Sequence, residues 1–111
     1  MANPFGLASA PPTTSYPMIA RSFDIGYDFA VIKTCVLDKD TVSNVSPRIY
    51  KVVNDPLRNE PSYGNIELVS EKSIKYWTEG AKQIKKDYPN KVLIGSLMAA
   101  YNKQDWIDIM T

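Results

Sequence analysis

The sequence predicts an α/β fold built on a parallel sheet, and three observations carry that prediction. A continuous apolar run at residues 29–32 and a largely apolar stretch at 91–98 have the pattern of strands covered on both faces, as strands of a parallel sheet are. Between them lies a stretch whose apolar residues fall at spacings of three and four, the signature of an amphipathic helix. Strand-like and helix-like segments also alternate along the chain, and alternation of this kind calls for helical crossovers between parallel neighbours. A closed barrel and an open doubly wound sheet both meet that description.

Residues 5–10 are short, rich in small side chains and followed by Pro11-Pro12, which suits a brief buried strand running into a tight turn. Small side chains there would let a ligand reach the backbone. Thr13, Thr14 and Ser15 offer N-caps, Pro17 fits a first helical turn, Met18, Ile19, Ser22 and Phe23 share a face, and Gly26 closes the helix. The second strand, residues 29–32, ends abruptly at Lys33. Residues 37–64 are polar and turn-rich, although 48–53 can form a short strand. A connection of that length is commonly a functional loop or an excursion over a site.

From residue 71 to 88 the stripe Ile74, Trp77, Ala81, Ile84 and Tyr88 predicts a helix with Ser70 as N-cap, and Lys72, Lys75, Glu79, Lys82, Lys85 and Lys86 form its solvated face. Pro89-Asn90 stops it. A third buried strand follows at 91–98, and Asn102 caps a last helix with Trp106, Ile109 and Met110 turned inward. The predicted order is β, α, β, long loop, α, β, α, in one domain over residues 1–111.

Bulk properties narrow the function. At 111 residues the chain has less than half of the ~250 residues of a typical (β/α) barrel, so a barrel would be incomplete. Its 44% hydrophobic and 23% charged residues are ordinary for a globular protein, and a formal charge of +1 gives no footprint for a nucleic-acid partner. One cysteine excludes an intrachain disulfide, and with no histidine a local zinc site has few ligands. Neither a signal peptide nor an apolar run of ~20 residues is present, so the expectation is a soluble, cytoplasmic protein with no membrane partner.

Parallel α/β folds bind ligands at the C-terminal ends of their strands. Three such ends are on offer: Ala8-Ser9-Ala10, Lys33-Thr34 and Leu97-Met98-Ala99. Lys33 follows four apolar residues, so its ammonium must reach water, pair with an anion or lose its proton. A bound anionic group would satisfy it, and so would a position at the rim from which it snorkels outward. No glycine-rich phosphate loop is present. Without histidine Cys35 has no imidazole to activate it and reads as a small buried hydrophobe. In Asn65-Ile66-Glu67 the two polar side chains share a face if the segment is extended. One amide and one carboxylate match a ring with adjacent C=O and N–H groups, though an exposed polar approach to a helix has the same pattern.

Several blocks of the sequence resemble the dihydropyrimidine dehydrogenase family: Asn3-Pro4-Phe5-Gly6-Leu7-Ala8-Ser9-Ala10, Ile32-Lys33-Thr34, Leu37-Asp38-Lys39-Asp40, Asn44-Val45-Ser46-Pro47-Arg48-Ile49, Asn65-Ile66-Glu67-Leu68, and Ser96-Leu97-Met98 with Tyr101-Asn102-Lys103. The first block is shared with the wider dihydroorotate dehydrogenase-like group, and the third and fourth narrow it. The resemblance implies the N-terminal portion of a (β/α)8 TIM barrel, dihydroorotate dehydrogenase-like and incomplete in this chain, that holds FMN and passes hydride to C6 of uracil or thymine.

It places Ala8, Ser9, Lys33 and Thr34 on the FMN, with Lys33 beside flavin N1 and the C2 carbonyl, and puts Asn65 and Glu67 on the pyrimidine. The family's catalytic cysteine acid sits in an Asn-x-Ser-Cys-Pro loop, expected beyond Thr111, so no catalytic residue is assigned within this chain. FAD, NADPH and 4Fe-4S clusters are implied for other domains of an intact, homodimeric enzyme. Two departures stand out: Asp28 occupies a position where the family usually has glycine, and residues 51–64 are shorter and less rich in Gly and Ser. The competing expectations are a dihydroorotate dehydrogenase-type flavoenzyme of pyrimidine biosynthesis, a tRNA dihydrouridine synthase, and a noncatalytic truncated fragment.

Overall fold

The computed structural model describes residues 2–40, 46–52 and 62–111. Its elements are β1 (Gly6–Leu7), α1 (Tyr16–Asp24), β2 (Phe29–Val31), β3 (Ile49–Val52), β4 (Ser62–Asn65), α2 (Ile74–Asp87), β5 (Val92–Ile94) and α3 (Lys103–Met110). Strands β1, β2 and β5 form a parallel sheet with β2 in the centre, Leu7 beside Ala30 and Ala30 beside Leu93. An isolated parallel bridge between Cys35 and Leu97 carries the β2–β5 pairing further. The parallel α/β expectation therefore holds. The described parallel strands make an open three-stranded sheet and β3 and β4 a separate pair, so the barrel is not part of the observed fold. No described helix is long and apolar enough to cross a membrane.

Helix α1 starts after Ser15, whose backbone is extended, with Pro17 in its first turn. It stops before Gly26, whose φ of +112° is a conformation glycine adopts without steric cost. Ile19, Ser22 and Phe23 are buried, whereas Met18, expected on that face, is exposed with its sulfur accepting from the Thr14 hydroxyl at 3.4 Å. In α2 the N-cap is Ser73, which accepts from the Tyr76 N–H at 3.2 Å, and not Ser70 as expected. Trp77 and Ile84 join Ile19, Phe23, Ala30, Ile32 and Cys35 in one core, with Ile74 and Tyr88 packed at its edge. Burying each large side chain of that set stabilises the fold by roughly 1.5–3 kcal/mol. The lysine-rich face of α2 is exposed, as its pattern implies.

The strand expected over 48–53 forms at Ile49–Val52 and pairs antiparallel with β4, Ile49 beside Asn65 and Val52 beside Ser62. Strand β4 has no counterpart in the expected order, because Ser-Tyr-Gly-Asn has little β-propensity. Its Gly64 lies under the Tyr50 ring, where a Cβ would come within 2.5 Å. Asn44 and Val45 of the family-like blocks, and residues 53–61 of the expected loop, lie outside the described residues.

Two expectations about burial are corrected. The run at 91–98 is not covered on both faces: Val92 and Ile94 are 38% and 43% exposed, because β5 is the edge of the described sheet. In α3 only Ile109 of the three expected residues is buried, while Trp106 and Met110 are exposed. Asp105 is buried instead. Asn102 caps this helix by accepting from the Asp105 N–H at 2.9 Å and donates its amide to the Asp105 carboxylate at 2.7 Å.

Asp28 needs no glycine-like backbone, since its N–H donates to the Phe5 carbonyl and its carbonyl accepts from the Val92 N–H. Its carboxylate is buried at the N-terminal end of the sheet, where it accepts from Lys91 Nζ at 2.6 Å and from the backbone N–H groups of Ala2 and Asn3. The Lys91 hydrogen bond, with the Asn3 N–H behind it, holds its pKa down at about 2.

Candidate functional site

The expected site residues gather at the C-terminal end of the parallel strands. Lys33 lies two residues beyond β2, its backbone N–H donating to the Thr13 carbonyl at 3.0 Å. Its side chain is only 8% exposed, and its Nζ donates to Glu67 Oε2 at 2.9 Å. Of the outcomes open to a lysine ending an apolar strand, the fold selects pairing with an anion. Glu67 is 46% exposed, and its other oxygen accepts from Asn65 Nδ2 at 3.1 Å. The Asn65 and Glu67 side chains therefore do face the same way, and they meet Lys33 in one chain of charge-assisted bonds. The Lys33 hydrogen bond and charge hold the Glu67 carboxyl below the usual glutamate range, with smaller help from Arg48 and Asn65.

Beside this chain three adjacent strand ends carry hydroxyls. Ser9 Oγ accepts from the Thr34 N–H at 3.1 Å and lies 3.2 Å from Thr34 Oγ1, which in turn is 2.9 Å from Ser96 Oγ. Thr34 is the hub. Ala8 is exposed next to Ser9, and its carbonyl accepts from the hydroxyl of the fully buried Thr13 at 3.2 Å. Ser96 is not among the residues expected here, because the apolar run places the third strand end at Leu97. The signal for it is the break from apolar to small and polar residues at Gly95-Ser96, within that run.

Cys35 points into the core and donates its thiol to the Lys33 carbonyl at 3.3 Å. Burial pushes that thiol up to about 12, which suits the packing role its sequence context implies. A cleft of about 320 Å³ opens next to Lys33, bordered by Thr14, Ser15, Arg48, Ser70 and Lys72. That volume is at the low end for a small-molecule pocket. Arg48 is not expected there from sequence, since it precedes β3 and reaches the cleft only through the β3–β4 pairing. The arrangement can present a cation, an amide and a carboxylate side by side to a planar polar molecule. Among the described residues no cluster of acidic or cysteine side chains could hold a metal ion.

No family model matches the chain. It is 35% identical over 114 aligned residues to a protein of Arabidopsis thaliana named dihydropyrimidine dehydrogenase (NADP(+)), chloroplastic, an alignment covering 99% of this chain and 27% of that protein. It is 33% identical over 107 residues to the NAD-dependent dihydropyrimidine dehydrogenase subunit PreA of Escherichia coli K12, with 96% of this chain and 25% of that protein covered. The chain spans about a quarter of the length of these relatives.

Proposed function

We propose that the chain, which is similar to about a quarter of the length of proteins named dihydropyrimidine dehydrogenase, belongs with them and supplies flavin and pyrimidine contacts of an oxidoreductase that reduces uracil or thymine to the 5,6-dihydropyrimidine. In this reading the parallel sheet is the start of a (β/α)8 barrel, and the remaining strands and the electron-supplying domains belong to the rest of the enzyme. The nicotinamide partner is open, because one relative is named for NADP(+) and the other for NAD.

The observation that carries the proposal is the Lys33–Glu67–Asn65 chain at the mouth of the sheet. An FMN ring asks its site for donors toward the N1 and C2 carbonyl edge and for a cation when it is reduced. Lys33 offers a buried, charged donor there, and Ser9 and Thr34 offer hydroxyls on the neighbouring strand ends. The described residues fit that polar edge, while the phosphate site belongs to other parts of the protein. FMN, when bound, would supply the hydride.

This chain's residues then have separable tasks. Lys33, its own side chain largely closed to water, places positive charge where negative charge grows. Asn65 and Glu67 exchange their mutual hydrogen bond for two to the substrate, the amide donating to a ring carbonyl and the carboxylate accepting from the adjacent N–H. Cys35 does not serve as a proton donor for C5, because it is buried in the core with its thiol pKa raised. That group comes from elsewhere in the enzyme.

Uracil-dependent oxidation of a reduced nicotinamide by the full-length protein tests the reading. Asn65→Ala and Glu67→Gln should each raise the KM for uracil by about tenfold or more. Wild-type kcat/KM in both variants would overturn it.

A further inference from the structure

Ser70 is 5% exposed, yet it lies on the segment between Glu67 and α2, where a serine reads from sequence as a helix cap. It does not cap α2. Its backbone N–H donates to the Thr34 carbonyl at 2.7 Å, tying the segment to the end of β2. Its hydroxyl accepts from Trp77 Nε1 at 2.8 Å and from the Lys72 N–H at 3.0 Å. Trp77 is itself buried in the core on the first turns of α2. Ser70 thus joins two parts to the segment that bears Glu67: its backbone ties the segment to the strand end that bears Lys33 and Thr34, and its side chain ties it to the helix that covers that end.

Glu67 needs such an anchor. It lies three residues upstream of Ser70 on a stretch with no helix or strand of its own, and its carboxylate is half-exposed. Lys33 is held at the end of β2 by its backbone bond to the Thr13 carbonyl, whereas Glu67 is held between the Ile66 N–H bond to the Arg48 carbonyl on one side and Ser70 on the other. Side chains in well-packed elements keep their geometry, and a site on irregular backbone depends on the residues that support it. We propose that Ser70, through its hydrogen bond with Trp77, is a positioning residue that sets the Glu67 carboxylate against Lys33. For catalysis this rests on the reading of Glu67 as a pyrimidine ligand, but the positioning itself does not depend on it.

Removing the hydroxyl takes the acceptor from the Lys72 N–H and from the buried indole N–H, and a buried donor does not stay unpaired if the backbone can move. The segment that moves is the one carrying Glu67. A purely structural serine would lower stability and leave the Lys33–Glu67 contact as it was.

The test is a carboxyl ¹³C NMR titration of Glu67 in full-length protein labelled at glutamate, with Glu67→Gln identifying the signal. In wild type Glu67 titrates below the usual glutamate range because of Lys33. In Ser70→Ala and in Trp77→Phe its pKa should rise toward that range, and Ser70→Thr, which restores a hydroxyl, should bring it back down. Unmoved Glu67 titration in a folded Ser70→Ala protein would overturn the proposal, even with a lowered melting temperature. If Ser70→Ala does not fold, Trp77→Phe takes its place, and an unmoved titration there overturns the proposal equally. Uracil kinetics separate this from the functional reading. A shifted titration with unchanged KM in both Ser70→Ala and Glu67→Gln would leave the positioning standing and remove the pyrimidine role.

Discussion

The hydrogen bond between Trp77 and Ser70 can be weighed by a double-mutant cycle. Trp77 is 4% exposed, and its indole N–H has one acceptor, the Ser70 hydroxyl at 2.8 Å. Ser70→Ala removes that acceptor, and the lost bond together with the backbone shift that re-pairs the N–H costs about 1–3 kcal/mol. Trp77→Phe removes the donor and part of the ring, for roughly 2 kcal/mol from the lost bond and lost burial. In the double variant no orphaned indole remains, so the two losses should not add: the pair should be less destabilised than the sum by about 1–2 kcal/mol. Urea unfolding of the full-length protein and the three variants, followed by far-UV circular dichroism, measures the difference. Additivity within about 0.5 kcal/mol would show that the two residues do not act through a shared bond.

Three further outcomes follow from other parts of the fold. Asp28 has its pKa held at about 2 against an ordinary 3.8, so its stabilisation is complete above the ordinary value and is lost as the pH falls toward 2. Melting temperatures across pH should therefore show wild type and Asp28→Asn far apart at neutral pH and converging in acid, and a constant gap would refute the Lys91 pairing. With its pKa near 12 rather than 9.0, Cys35 should carry about a thousandfold less thiolate at pH 8. Iodoacetamide followed by peptide mapping should leave it unmodified in the native protein and modify it in urea, and native labelling at the unfolded rate would contradict its burial. A Cβ at Gly6 would come within 2.4 Å of the Phe29 ring, so Gly6→Ala should destabilise the protein by about 1–3 kcal/mol, read from the same urea curves.

The helices and the parallel sheet are legible in the sequence because their signals are local and periodic. The α2 stripe needs only its own residues to show its buried face, and the apolar run ending at Lys33 announces both a central strand and an ionic problem at its end. What the run cannot show is the solution, a carboxylate 34 residues away, because that contact joins the ends of two separate sheets and depends on tertiary packing. Strand β4 is illegible for the same reason: its residues are extended because β3 lies beside them, against their own propensity. Ser70 is ambiguous because serine before an amphipathic run has two uses, and only the position of Trp77 decides between a cap and a buried acceptor. Burial on β5 and α3 falls short of expectation because an apolar side chain records what it can pack against, and not whether a covering element is there.

The central claim is that Lys33 serves a flavin beside a pyrimidine site, and the most direct measurement is anaerobic titration of the full-length protein with 5,6-dihydrouracil, followed at the yellow flavin band. Wild type should carry FMN and bleach, and Lys33→Met should bleach at least about 100-fold more slowly while keeping its fold. A full-length protein without flavin, or a Lys33→Met variant that bleaches at the wild-type rate, would contradict the account.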